Sequence, residues 1–176
     1  MGGPTIPWSS GRVDEMNPSN GPPDGRLPNA DTPPEGVDKN DAAHLRKVFN
    51  RMGFDDREIV CLSGAHSLGR AHLDDSGYDG PWTGAPTTFG NGYFVFILGS
   101  PWVPERTAKG KLQYKNPIGG QFMMLPTDLI LRDDWRFRFW VWVYAKRPFL
   151  FRSDFAKAFQ KLEELGTSHL TPTDWA

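Results

Sequence analysis

The sequence predicts a mainly α domain, and three observations lead there. From residue 39 onward, apolar residues recur at helical spacing. Residues that start and stop helices bracket these stretches, with Asp41, Asp55 and Pro126 at the beginnings and Gly53, Gly99 and Gly166 near the ends. Gly and Pro are otherwise gathered in residues 1–38 and in loops, where no apolar period exists. The organisation expected is an irregular segment over 1–38 that wraps over other structure, a helical domain over 39–166 and a tail over 167–176. At 176 residues the chain is sized for one domain with a real core.

Taken in order, Asp41 caps a helix over Ala42–Met52 that ends at Gly53, with Leu45, Val48 and Phe49 on one face. Asp55 caps the next, which carries Ile59, Val60 and Leu62 and delivers His66 near its C-terminal end, where the helix dipole favours a ligand to a cation. A Gly/Pro-rich loop spans Asp74–Pro86. Residues Phe89–Leu98 form a helix stopped by Gly99 and Pro101, and 99–122 include a short hairpin. Pro126 suits the first turn of another helix. Two more follow over 133–146 and 149–165, the last closed by Gly166. One of these breaks the usual pattern: Trp135–Tyr144 is apolar at eight of ten positions, more than one helical face requires. It is read as a helix with an aromatic surface, or as a strand buried on both faces.

Charge and cysteine content exclude several classes. A formal net charge of -1 gives no basic field for nucleic acid. The single Cys61 rules out an intrachain disulfide framework and reads as a buried, inert thiol. Turn residues follow Met1, so no signal peptide is expected, and the apolar stretches Tyr93–Leu98 and Phe139–Ala145 fall far short of the roughly 20 residues that span a bilayer.

The residues that carry chemistry are His66, in the run Leu62-Ser-Gly-Ala-His-Ser-Leu-Gly-Arg-Ala-His72, with Gly80-Pro-Trp82 and Leu125-Pro-Thr-Asp128 after it. An imidazole that binds iron needs its other ring nitrogen anchored, commonly by a carboxylate. Asp128 is the candidate anchor, and Trp82 lies beside it. With Gly2-Gly-Pro-Thr-Ile-Pro-Trp8, Pro23-Asp-Gly-Arg-Leu-Pro-Asn-Ala-Asp31, Phe54-Asp-Asp-Arg-Glu-Ile-Val60 and Asp154-Phe-Ala-Lys-Ala-Phe159, these segments resemble, in order and over nearly the whole chain, the haem peroxidase superfamily of cytochrome c peroxidase and ascorbate peroxidase.

The resemblance implies a haem-peroxidase-like helical domain restricted to the proximal half, with haem b as cofactor. His66 would ligate the metal, Asp128 would orient it, and Trp82 would relay electrons, so Trp82 and Asp128 are the catalytic candidates. Leu62, Ala65 and Gly69 would line the porphyrin, and Arg70, His72 and Ser76 would reach its propionates. Ascorbate peroxidases carry an Arg where this chain has Asp75 and a cation-binding Asp where it has Gly90, although Thr83 matches one of their cation-site residues. The balance lies with cytochrome c peroxidase. The family's distal Arg, aromatic residue and His precede the segment similar to Gly2–Trp8 and have no counterpart here. The resemblance also implies a mitochondrion or plastid.

Two functions stay open. One is a hydrogen-peroxide-dependent oxidoreductase whose distal half is carried elsewhere, reduced by a partner similar to cytochrome c. The acidic residues Asp74, Asp75 and Asp79 are candidates to attract such a basic partner. The other is a catalytically inactive, peroxidase-derived subunit of a larger and membrane-associated assembly. Phe139, Trp142 and Phe149, at positions usually polar or charged in the family, and Phe96, more apolar than expected, would then form its partner surface. A minor alternative is a serine hydrolase, with Ala65-His-Ser-Leu-Gly69 as a nucleophile elbow, Ile59–Leu62 as its strand, and His169 with Asp174 or Asp128 completing a triad around Ser67. A zinc site from His66 and His72 fails on spacing, since i,i+6 separates the two on a helix.

Overall fold

The computed structural model describes residues 1–21, 23, 26, 27, 29, 30, 41–119 and 122–173. Among them the architecture is mainly helical. Helices α1 (Asp41–Arg51) and α2 (Asp56–Ser63) come first; the expected capping side chain of Asp41 lies outside what is described. The α2 start follows from its sequence. Asp55 accepts from the Glu58 amide at 2.8 Å while the Glu58 carboxylate accepts from the Asp55 amide at 3.0 Å, which satisfies two donors that a helix start leaves free. The helix buries Ile59, Val60, Cys61 and Leu62.

A 3-10 turn over Gly64–Ser67 ends α2 and carries His66. Glycine is required at its first position, because a Cβ on Gly64 would lie 2.5 Å from the Phe151 ring and 2.8 Å from that of Phe94. The loop beyond holds a two-stranded pairing of β2 (Arg70–Ala71) with β3 (Gly80–Pro81) around the short α3 (Leu73–Ser76).

Helix α4 (Gly92–Gly99) begins three residues later than its sequence pattern suggests. Phe89 is instead stacked on Phe151 at 5.1 Å, and the Asn91 side chain donates to the Tyr144 and Ala145 carbonyls at 3.1 and 2.9 Å. Strands β4 (Val103–Arg106) and β5 (Leu112–Lys115) form the expected hairpin in register Val103↔Lys115 to Arg106↔Leu112, and β6 (Met123–Met124) pairs with the outer side of β5. Strand β6 leads directly into α5 (Pro126–Asp133), with Pro126 in the first turn, where a missing N–H costs nothing.

Helices α6 (Trp135–Lys146) and α7 (Pro148–Glu163) complete the core. Asp134 caps α6 by accepting from the Arg136 and Phe137 amides, so the Trp135–Tyr144 stretch is a helix, and the alternative of a doubly buried strand is corrected. Its inner face buries Phe137, Val141 and Tyr144 completely, while Trp135, Phe139 and Trp142 are 75%, 55% and 53% exposed. Phe149, in the first turn of α7, is 86% exposed. Phe96 departs from the expected surface set, since it is half-buried with its ring 5.0 Å from Phe122.

Two arginine forks join these helices. Arg46 of α1 pairs with Asp56 at the start of α2 and with Asp134 at the cap of α6, each at 2.8 Å. Arg57 of α2 pairs with Asp154 of α7 at 2.7 Å, and the Tyr144 hydroxyl donates to the same carboxylate at 2.9 Å. Bidentate pairs of this kind fix orientation as well as distance. The segments expected as an irregular start and a tail meet in a ribbon, β1 (Trp8–Ser10) against β7 (Thr171–Thr173), with Trp8↔Thr173 in register. Among the described residues no helix is long and apolar enough to cross a membrane.

Candidate functional site

Asp128 is the centre of the site. It stands in the first turn of α5, is 2% exposed, and accepts four hydrogen bonds. Its Oδ1 receives His66 Nδ1 at 2.9 Å and the Tyr93 hydroxyl at 2.5 Å; its Oδ2 receives Trp82 Nε1 at 2.8 Å and the Leu125 amide at 2.7 Å. A carboxylate has about four lone-pair positions, so this one is fully satisfied without water. Burial by itself would raise the Asp128 carboxyl; the electrostatic attraction and hydrogen bond of His66, then the Tyr93 hydroxyl and the Leu125 amide, hold it below its usual value. Burial, and next the charge of Asp128, push the Tyr93 phenol well above its ordinary range, so the phenol keeps its proton and donates.

The rest of the geometry follows from that ionised carboxylate. Asp128 can only accept, so His66 carries a hydrogen on Nδ1, and Nε2 is the atom left for a ligand. The imidazole stacks on the Trp82 indole at 4.2 Å with planes 12° apart, and meets the Tyr93 ring edge-on at 5.7 Å. Two aromatic side chains and one carboxylate therefore hold the imidazole in place, and about a third of its side chain still faces outward.

That open side borders a cavity of about 310 Å³, lined by His66, Leu62, Ala65, Leu125 and Thr127 together with Phe159 and other apolar residues of α1 and α7. The volume is near the lower end of ligand pockets, which run roughly 300–1,000 Å³, as suits covering one face of a flat ligand. The residues fit a haem: a buried anchor behind a histidine with a free Nε2, small Ala65 beside it, and apolar walls. Gly69 sits just beyond with φ of +73°, a conformation that favours glycine, and nothing lies within 4 Å of where its Cβ would be.

A family model described as Peroxidase matches residues 1–147. The chain belongs to the peroxidase family. It is 50% identical over 171 residues to a protein of Pyricularia oryzae named "Putative heme-binding peroxidase", an alignment covering 94% of this chain and 54% of that one. It is 48% identical over 165 residues to a mitochondrial cytochrome c peroxidase of Cryptococcus neoformans, covering 94% of this chain and 41% of the relative. The chain thus spans about half the length of the curated relatives it matches.

Within this peroxidase-family chain, the structure brings His66, Asp128 and Trp82 together and places Leu62 and Ala65 on the adjoining cavity. Arg70, His72 and Ser76, expected to reach the propionates, are not among the residues that line this cavity. Arg70 pairs with Asp79 at 2.9 Å and lines a separate polar cavity with Glu105 and Lys115. The Ser76 hydroxyl is engaged by the His72 and Tyr78 carbonyls within the turn, and His72 is exposed at the start of α3.

The hydrolase arrangement is corrected as well. Ile59–Leu62 is helix and not strand, and the Ser67 hydroxyl is buried without a hydrogen-bond partner among the described residues; Asp174 lies outside them. Tyr93 is the member of this hydrogen-bonded cluster that was missed from sequence. Its signal was a phenol inside an otherwise apolar helix, since a buried tyrosine hydroxyl must find an acceptor.

Proposed function

We propose that this segment forms the proximal side of the haem site of a hydrogen-peroxide-dependent oxidoreductase closer to cytochrome c peroxidase than to ascorbate peroxidase. The observation that carries the reading is one buried carboxylate, Asp128, shared by His66 Nδ1 and Trp82 Nε1 while the two rings stack. His66 Nε2 would hold the iron of haem b, and the hydrogen bond from Nδ1 to Asp128 would raise the basicity of that ligand. When bound, the haem supplies the redox chemistry of peroxide reduction. Trp82, whose indole N–H donates to Asp128 Oδ2 at 2.8 Å and whose ring stacks on His66, would be the residue that relays electrons from a reductant similar to cytochrome c. Among the described residues His66 is the only histidine or arginine lining the cavity, so no other described side chain there supplies the base or the cation that peroxide cleavage requires. The name of the Cryptococcus relatives supports an organellar, mitochondrial location.

A second reading, a catalytically inactive subunit within a larger assembly, is favoured by the exposed rings of Trp135, Phe139, Trp142 and Phe149. Titration of the purified chain with hemin separates the two. A Soret band that saturates at one equivalent and is lost in His66→Ala supports the peroxidase reading. A spectrum indistinguishable from free hemin ends it and leaves the structural subunit.

A further inference from the structure

Helix α6 is apolar on two sides, and only one of them has a partner. Phe137, Val141 and Tyr144 are wholly buried. On the opposite side, Trp135, Phe139, Trp142 and Lys146 follow one another at steps of four, three and four residues, which places them in one stripe along the helix, with Arg138 beside it. The stripe continues into the α6–α7 corner at Arg147 and Phe149, both exposed. The Arg136 guanidinium lies over the Trp135 ring at 5.2 Å.

The charge on this stretch is one-sided. Between Trp135 and Ser153 the chain carries Arg136, Arg138, Lys146, Arg147 and Arg152 and no carboxylate, in a protein whose formal net charge is -1. The two acids just before it are already engaged, Asp134 with Arg46 and Asp133 with Arg132. Exposed tryptophan and phenylalanine interleaved with unopposed cations are complementary to a surface that is apolar at one depth and anionic just above it. A lipid bilayer with acidic headgroups is such a surface. Aromatic rings favour the headgroup boundary, and long cationic side chains reach outward from it. From Trp135 to Lys146 the stripe is about 16 Å long at the helical rise per residue, so it suits lying in the interface and not spanning it.

We propose that the outer face of α6 and the α6–α7 corner form a peripheral docking surface for an anionic phospholipid bilayer. The rings of Trp135, Phe139, Trp142 and Phe149 enter the headgroup boundary, and Arg138, Lys146 and Arg147 meet lipid phosphates and carboxylates. The buried inner face keeps α6 fixed on the domain, so docking leaves the His66 site on its scaffold. The proposal holds whether or not haem is bound.

Sedimentation of the 176-residue chain with vesicles tests this. Phosphatidylcholine vesicles are compared with vesicles containing about a third phosphatidylserine, an acidic fraction that gives a negative surface potential. The chain is expected to bind the acidic vesicles at least tenfold more tightly, with affinity falling as salt rises. Replacing Arg138 and Arg147 by Ala is expected to weaken that binding by roughly fivefold for each cation. Phe139→Ser with Trp142→Ser is expected to abolish it while leaving the near-ultraviolet circular dichroism of the buried rings in place, since both positions are exposed. Equal binding to both vesicle types, or unaltered binding by the Phe139/Trp142 double variant, overturns the proposal. So does a dimer in light scattering that the double variant dissolves and that binds no vesicle, because the stripe would then be an interface between copies of the chain.

Discussion

Replacing Tyr93 by Phe removes a single oxygen atom from the centre of the site and leaves the ring where it is. The ring packs edge-on to Phe94 at 5.2 Å and to His66 at 5.7 Å, and both contacts survive the change. What is lost is an O–H donor 2.5 Å from Asp128 Oδ1 in a fully buried setting. Hydrogen bonds to charged groups contribute about 1.5–3 kcal/mol. Part of that returns because a phenol no longer has to be desolvated, so the net loss is about 1–2 kcal/mol. For a chain of this length each kcal/mol moves Tm by roughly 2–4 °C, and thermal unfolding should therefore occur about 2–8 °C lower. The same change has a second readout. With the phenol gone, Asp128 Oδ1 accepts from His66 alone, the Nδ1–H bond strengthens, and the ring becomes a more basic ligand. In hemin-loaded protein the iron midpoint potential should move to lower values. A variant as stable as its parent, with an unmoved or raised potential, would show that the phenol does not share the carboxylate and would refute the reasoning.

Gly64→Ala puts a methyl group 2.5–2.8 Å from the Phe151 and Phe94 rings two residues before His66. Overpacking of this kind costs about 1–3 kcal/mol, and urea unfolding should show a lowered midpoint. Cys61 is buried against the Phe151 carbonyl, and burial pushes its thiol up to about 12, so a thiol-specific disulfide reagent at neutral pH should leave it unmodified until denaturant is added. The Arg46 fork should make stability depend on acid. Its hydrogen bond to Asp134 holds that carboxyl below its usual value, so the contribution is whole above the unfolded value of about 3.9 and is lost as pH falls through the folded one. The urea midpoint of the parent should fall below about pH 4, and the gap between the parent and Arg46→Leu should narrow there. A constant gap down to pH 2 would contradict the assignment.

How much of this was legible depended on whether the information was local. The Asp55 cap, the Pro126 start and the hairpin between residues 99 and 122 are contained in short windows, and each appears at its place. The start of α4 was misjudged by three residues because Asn91 is committed to the far end of α6, a partner 53 residues away along the chain. His66, Asp128 and Trp82 were legible only through resemblance. No local rule joins residues 62 apart, whereas the one fact that does, a carboxylate buried by α5 behind the α2–Gly64 turn, belongs to packing. The pairing of Arg70 with Asp79 was hidden for the same reason, since it forms beside the β2–β3 ladder that sets Arg70 against Pro81.

Helix α6 is where pattern reasoning met its limit, and the cause is physical. Hydrophobic periodicity infers a buried face from contrast with a polar one. In Trp135–Tyr144 that contrast is missing, because Phe137, Val141 and Tyr144 serve the core while Trp135, Phe139 and Trp142 lie outside it. Strand and helix then predict the same composition, and only the Asp134 cap separates them. The core face of α6 is held by the fold: Phe137 lies 4.2 Å below the Arg46 guanidinium, and Tyr144 donates to Asp154. The outer face is held by nothing within the described residues. A helix whose inner residues already anchor it gains no stability from three further rings in water. Their presence beside the exposed Arg138, Lys146 and Arg147 is the basis for the proposed docking surface, and not a consequence of how the domain folds.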